Sequence, residues 1–134
     1  MAEQIKIVLA DDHPIVRQGL KQIIETDQSL VIVAEAGDGE TALALVEIHQ
    51  PDVLVLDVDM PKMNGFAVVK ELRNRRNNVA VVFLTMHGEE EIFHAALDLD
   101  VKGYVVKDSA LNEIAAGIKA VAAGRACSTE YRGR

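Results

Sequence analysis

Four apolar residues, Val53-Leu54-Val55-Leu56, run straight into a carboxylate at Asp57. A short β-branched-rich run without polar interruption reads as a strand buried on both faces, as in a parallel sheet covered by helices. A central strand cannot carry an unpaired charge into the core, so this one ends near Asp57. Pro61 and the pair Asn64-Gly65 then turn the chain. Asp57 is thereby placed at the carboxyl end of a central strand, where open α/β sheets keep their ligand sites.

The same grammar repeats on either side. Apolar runs at 5–10, 30–36, 79–84 and 104–106 read as four further strands. Between them lie helical stripes: Val16, Leu20, Ile23 and Ile24 behind Pro14; Ala42, Leu45, Val46 and His49 behind a capping Asp38. Phe66, Val69 and Leu72 mark a third helix, and Ile92, Phe93, Ala96 and Leu97 a fourth, opened by Glu89, Glu90 and Glu91. Leu111, Ile114, Ile118 and Val121 mark a fifth, capped by Asp108 or Ser109 and stopped by Gly124. The expected fold is a doubly wound (βα)5 flavodoxin-like α/β domain over residues 1–124, with strand order 2-1-3-4-5 and helices on both faces. Residues 125–134 carry three arginines and no apolar period, and read as a linker or tail.

Composition narrows the function. A net charge of −7 argues against direct nucleic-acid binding by this domain, since that affinity comes largely from cations on phosphates. A single cysteine, Cys127, excludes an internal disulfide and suits a reducing compartment. No apolar run approaches the roughly 18–20 residues that span a bilayer, and no signal peptide is visible, so a cytoplasmic protein is expected.

Three strands end in residues capable of chemistry: Asp11-Asp12, Asp57 and Thr85. The fifth adds Lys107. The order 2-1-3-4-5 sets the first and third strands side by side, so Asp12 approaches Asp57, with Thr85 and Lys107 beyond. Two carboxylates ~4 Å apart repel by about 4 kcal/mol at an effective dielectric of roughly 20. Protonation relieves that repulsion, and so does a divalent cation; hard oxygen donors with room for water suit Mg2+. A phosphate bridged to such an ion needs only positioned donors, a hydroxyl from Thr85 and a mobile cation from Lys107. These are the parts of a site that phosphorylates a carboxylate.

At these separations Asp11-Asp12, the Asp57 strand ending in Met60-Pro61, Thr85 and Lys107 resemble the receiver domain of two-component response regulators. The stretches Asp11-Asp12-His13-Pro14 and 102–108 are similar to receivers that precede a LuxR-type helix-turn-helix output domain. The resemblance implies that Asp57 accepts a phosphoryl group from a histidine kinase and that the domain catalyses its own phosphorylation and dephosphorylation. It further implies Mg2+ bound by Asp12, Asp57 and the backbone carbonyl of Asp59, with Asp11 acting directly or through water. Thr85 would bond the phosphoryl group, Lys107 would pair with it, and Tyr104 would rotate inward as Thr85 moves. The resemblance also implies that Asp59 and His87 stand at positions facing the mouth of the site, where they would tune the phosphoryl lifetime. The expected partners are the kinase, a DNA-binding output domain in the same or a separate chain, and a second copy on phosphorylation. No helix-turn-helix segment follows, which favours a receiver excerpt over a single-domain regulator. The output surface is either helix four with strand five and helix five, or a dimer face of helices one and five.

Other readings compete. An apolar strand followed by Asp57-Val58-Asp59 also resembles the haloacid-dehalogenase phosphatases. Their next key residue is threonine or valine, where this chain has Pro61; their motif opens the chain, and this chain is too short for a cap domain. A flavodoxin-like FMN module needs a hydroxyl- and glycine-rich loop after the first strand, where Asp11-Asp12 is electrostatically wrong. His13 is expected to flank the site without ligating metal, and His49 and His94 to lie on helix surfaces.

Overall fold

The structure, a computed structural model, describes residues 4–86, 90–107, 113–125 and 127–128. Strands β1 (Ile5–Ala10), β2 (Leu30–Ala36), β3 (Val53–Asp57), β4 (Ala80–Thr85) and β5 (Gly103–Val106) alternate with helices α1 (Pro14–Glu25), α2 (Gly39–His49), α3 (Gly65–Asn74), α4 (Glu90–Asp98) and α5 (Ile114–Ala122). Every strand pairing is parallel, and the first five strands stand in the expected order, β2-β1-β3-β4-β5. A two-residue strand, β6 (Cys127–Ser128), extends the sheet beside β5 from a segment that carries no apolar pattern. Among the described residues, no helix is long and apolar enough to cross a membrane.

The period of two along each strand divides the core into two layers. Val8, Leu54, Leu56, Val81 and Phe83 face the layer that holds the buried residues of α2 and α3 and Ala96 of α4. Ile7, Leu9, Val53, Val55 and Leu84 face the other, filled by Leu20 and Ile24 of α1 and by Ile114 and Ile118 of α5. All five residues of β3 are buried, as an uninterrupted apolar run requires. Phe66 packs edge-on against Phe83, with ring centres 5.2 Å apart and planes at 78°.

Local signals set the boundaries. Asp38 caps α2 by accepting the Thr41 N–H at 2.8 Å, and Asn64 caps α3 through the Ala67 N–H at 2.9 Å. Pro14 opens α1, and Gly124 at φ +85° follows α5. Two face assignments change. Leu97 is 51% exposed rather than inward. Leu43 is buried where the stripe predicts only Ala42, Leu45 and Val46. His49 lies exposed on the surface of α2, as expected. Helix α2 is apolar over most of its circumference, so spacing alone does not single out its buried side. Phe93's side chain, Leu111 and the caps Asp108 and Ser109 lie outside what is described.

The loop after β3 closes onto the start of α2. Gly39 N–H reaches the Pro61 carbonyl at 3.5 Å, and a Cβ on Gly39 would stand 2.0 Å from the Met63 carbonyl oxygen. Gly19, inside α1, has nothing within 4 Å of the same position. Opposite effects follow. Gly39→Ala forces a backbone shift and loses about 1–3 kcal/mol, whereas Gly19→Ala gains about 0.5–1 kcal/mol of helix stability. Urea unfolding midpoints moving in opposite directions would confirm both.

Candidate functional site

Strand register assembles the site. Ala10 pairs with Leu56, which sets Asp11 level with Asp57 across β1 and β3. Asp57 pairs with Leu84, and Leu84 with Val105, so Lys107 falls on the same face two residues further along. Parity therefore collects Asp11, Asp57 and Lys107 on one face of the sheet edge. The Lys107 N–H, bonded to the Thr85 carbonyl at 2.7 Å, fixes where the lysine stem begins. Its ammonium reaches back to Asp11 Oδ2 at 2.9 Å and donates to Asp57 Oδ2 at 3.1 Å.

These three groups are buried: Asp11 is 0% exposed, Asp57 2% and Lys107 5%. Burial pushes the Asp57 carboxyl up to about 6; the Lys107 ammonium opposes the shift, and the neighbouring Asp11 charge adds to it. For Lys107, burial alone would lower the ammonium, but Asp11 and Asp57 more than offset it and hold it above its ordinary value. The Asp59 N–H donates to Asp57 Oδ1 at 3.1 Å and orients that carboxylate. Arg17 of α1 donates to the Asp11 carbonyl at 2.6 Å and stands 3.5 Å from the Ala36 carbonyl, tying the ends of β1 and β2 to the helix.

Not every expected residue joins the charged cluster. Asp12 does, half-exposed at its rim. Thr85 ends β4 at the same edge and is buried. Tyr104 is buried in the opposite layer, where its register partner is Phe83. Asp59 follows β3 with its residue exposed. His87 lies outside the described residues. His13 comes closer than flanking: its Nδ1 is 3.2 Å from both Asp11 Oδ1 and Asp12 Oδ1 and 3.8 Å from Asp57 Oδ2. The signal for it was local. A residue between Asp12 and the Pro14 that opens α1 turns back on the strand end, and the His13 N–H bonds Asp11 Oδ1 at 2.9 Å.

The donor set suits a divalent cation. Ligand atoms from Asp11, Asp12, His13 and Asp57 all lie within 4.8 Å of one another. Three ionised carboxylates and one ammonium leave a formal charge of −2 (−3 + 1). Asp12 Oδ1 is buried without a hydrogen bond, and Asp11 Oδ2 meets Lys107 as an ion pair without hydrogen-bond alignment. Buried oxygens in that condition are what a metal ion satisfies.

The raised Asp57 carboxyl has a stability consequence of definite sign. Its folded value of about 6 exceeds the ordinary 3.8, so the folded state holds a proton that the unfolded chain has released. That contribution is complete below 3.8 and is lost as pH rises through about 6. Asp57→Asn removes the dependence. With metal chelated, the variant should equal or exceed the wild type in stability at about pH 7.5, and its advantage should shrink towards about pH 4.5. Urea unfolding at the two pH values measures the gap; a gap independent of pH would mean that burial does not dominate at Asp57.

Comparison with known proteins agrees with this geometry. Residues 7–119 match the response regulator receiver domain family. The transcriptional regulatory protein DegU of Brevibacillus brevis is 36% identical over 123 residues, 92% of this chain and 52% of that protein. The DNA-binding transcriptional activator DevR/DosR of Mycobacterium tuberculosis is 39% identical over 121 residues, 90% of this chain and 56% of that protein. The chain thus spans about half the length of the curated relatives it matches. Among solved structures, the signal receiver domain of the response regulator NarL from M. tuberculosis superposes with a TM-score of 0.87 at 36% identity, covering 92% of this chain and 99% of that one. A LuxR-family two-component response regulator from Aurantimonas sp. SI85-9A1 gives 0.90 at 32% identity, covering 96% and 91%. Strand order, family match and relatives converge: this chain belongs to the response regulator receiver domain family of two-component systems.

Proposed function

We propose that this receiver is a switch that takes a phosphoryl group on Asp57 from the phosphohistidine of a histidine kinase. The observation that carries the reading is the buried ammonium of Lys107 held between Asp11 and Asp57, at 2.9 and 3.1 Å. In the transfer an Asp57 carboxylate oxygen forms a bond to phosphorus. The phosphorus–nitrogen bond of the donor breaks, and its electron pair returns to the imidazole. A carboxyl raised to about 6 is ionised above that pH and more basic than an ordinary one, both of which favour attack.

Asp11, Asp12 and Asp57 would hold Mg2+ with the Asp59 backbone carbonyl, Asp11 directly or through water. The ion supplies neutralisation of phosphoryl charge, on which catalysis of this transfer largely depends. Lys107 pairs with the incoming group and Thr85 donates its hydroxyl to it. Tyr104 follows that movement and carries it to the α4–β5 surface. The output is control of a DNA-binding domain in the same or a separate chain, with a second copy as a partner on phosphorylation. The transcriptional roles in the names of DegU and DevR/DosR support this. The net charge of −7 leaves DNA contact to that other domain, and the setting is the cytoplasm.

Three outcomes test the proposal. Incubation with acetyl phosphate and Mg2+ should add one phosphoryl group by intact mass to the wild type and none to Asp57→Asn. Rapid turnover of p-nitrophenyl phosphate would instead favour a phosphatase. Mg2+ at 100 times its dissociation constant should stabilise the fold by about 2.7 kcal/mol, read as a rise in melting temperature; no rise would count against the metal site. Asp59→Asn should change the rate at which the phosphorylated domain loses its label, and equal rates would remove Asp59 from the tuning role.

A further inference from the structure

Lys107 is not alone in meeting the carboxylates. Its ammonium also lies 3.5 Å from Nδ1 of His13, so two carboxylates and one imidazole nitrogen meet a single positive charge, with Asp12 beside His13. The imidazole is held there by its own backbone. The His13 N–H donates to Asp11 Oδ1 at 2.9 Å, and Pro14 starts α1 immediately afterwards. The ring makes no side-chain capping bond to that helix, so helix capping does not explain its position. The ring's Nδ1 lies within hydrogen-bond distance of Asp11 Oδ1, at 3.2 Å, and donates to it when it carries the proton. In the other tautomer, with the proton on Nε2, it turns a lone pair into the cluster.

We propose that His13 is a ligand of the divalent-cation site and widens its preference from Mg2+ towards first-row transition-metal ions such as Mn2+ and Co2+. The inference rests on the reading of the acidic cluster as a divalent-cation site. The argument is one of donor chemistry. A site built only from carboxylate, carbonyl and water oxygens suits Mg2+, which is hard and dehydrates reluctantly. An imidazole nitrogen adds a softer donor, favoured increasingly along the series from Mn2+ to Co2+ and Ni2+. His13 Nδ1 is as near to Asp11 and Asp12 as ligands of one ion can be, 3.2 Å from each. The two oxygens that it approaches or neighbours, Asp12 Oδ1 and Asp11 Oδ2, have no hydrogen bond of their own. The ammonium already stands among these donors, so an entering ion meets a formal charge of −2 and a set of ligands gathered in advance.

The experiment compares Mg2+, Mn2+ and Co2+ binding by calorimetry in the wild type, His13→Ala and His13→Asn, with the visible absorption of bound Co2+ recorded in each. His13 is half-exposed and Asn is a favoured helix cap, so both variants should fold; melting temperatures without metal check this. The expected result is a Co2+ affinity that falls by about tenfold or more in both variants, with a changed Co2+ spectrum, while Mg2+ affinity stays within about twofold of the wild type. An unchanged preference for Co2+ over Mg2+ would overturn the proposal. A wild type that binds Mg2+ but shows no preference for Co2+ would overturn it as well, leaving the Mg2+ site intact. Failure of the wild type to bind any of the three ions would overturn the divalent-cation reading together with this one.

Discussion

A buried ammonium shared by two buried carboxylates is the interaction on which the rest of the architecture depends. Removing three charges from water costs several kcal/mol each unless they meet in good geometry. Here they come from three different strands, β1, β3 and the end of β5, with Lys107 2.9 Å from Asp11 and 3.1 Å from Asp57. The meeting is possible only if those strands run parallel, end at one edge and keep a register that brings Asp11 level with Asp57. A slip of one residue in any of them would turn a charge into an aliphatic layer. The polar edge is thus a constraint on register as strong as the apolar layers beneath it.

The two layers divide the chemistry as well as the core. Asp11, Asp57 and Lys107 share the α1/α5 face by strand parity, while Tyr104 lies in the layer of α2, α3 and α4. Strand β4 lies between them. Its Leu84 is the register partner of Asp57, and the Thr85 carbonyl accepts the Lys107 N–H at 2.7 Å. A change in charge at Asp57 therefore needs to displace the last residues of one strand, and no more, to be felt on the opposite layer. Close packing favours discrete rearrangements over gradual ones, which is what a switch requires.

Most of this was legible in the sequence because strand ends in a parallel sheet follow from simple patterning. An unbroken apolar run that stops at a carboxylate located β3 and Asp57 together, and repetition of the run gave the sheet order. Asp11, Asp12 and Lys107 followed from the same rule. What escaped depended on features that periodicity does not carry. The exposed Leu97 sits on a helix whose stripe is wide enough to suggest a different face. Leu43 is buried because α2 is apolar nearly all round. Strand β6 pairs through its backbone with β5 and has no apolar signature at all. The approach of His13 to the carboxylates is likewise set by a tight turn of the backbone, the bond from its N–H to Asp11, which periodicity does not carry.

On the proposed reading, charge is what would make such a site respond to one covalent event at Asp57. Three carboxylates and an ammonium carry a formal −2, which a divalent cation brings to zero. Replacing the single charge on Asp57 by a phosphoryl group of about −1.5 to −2 leaves the site negative again, with three strong acceptor oxygens to satisfy. The excess falls on groups that are already close. Lys107, already paired with Asp11 and Asp57, would meet the new anion, and Thr85 is a buried strand-end hydroxyl at the same edge. Movement of the Lys107 ammonium would loosen its contacts to Asp11 and Asp57 at the ends of β1 and β3. The same burial that raises the Asp57 carboxyl to about 6 would make added negative charge there costly unless a cation or donor meets it.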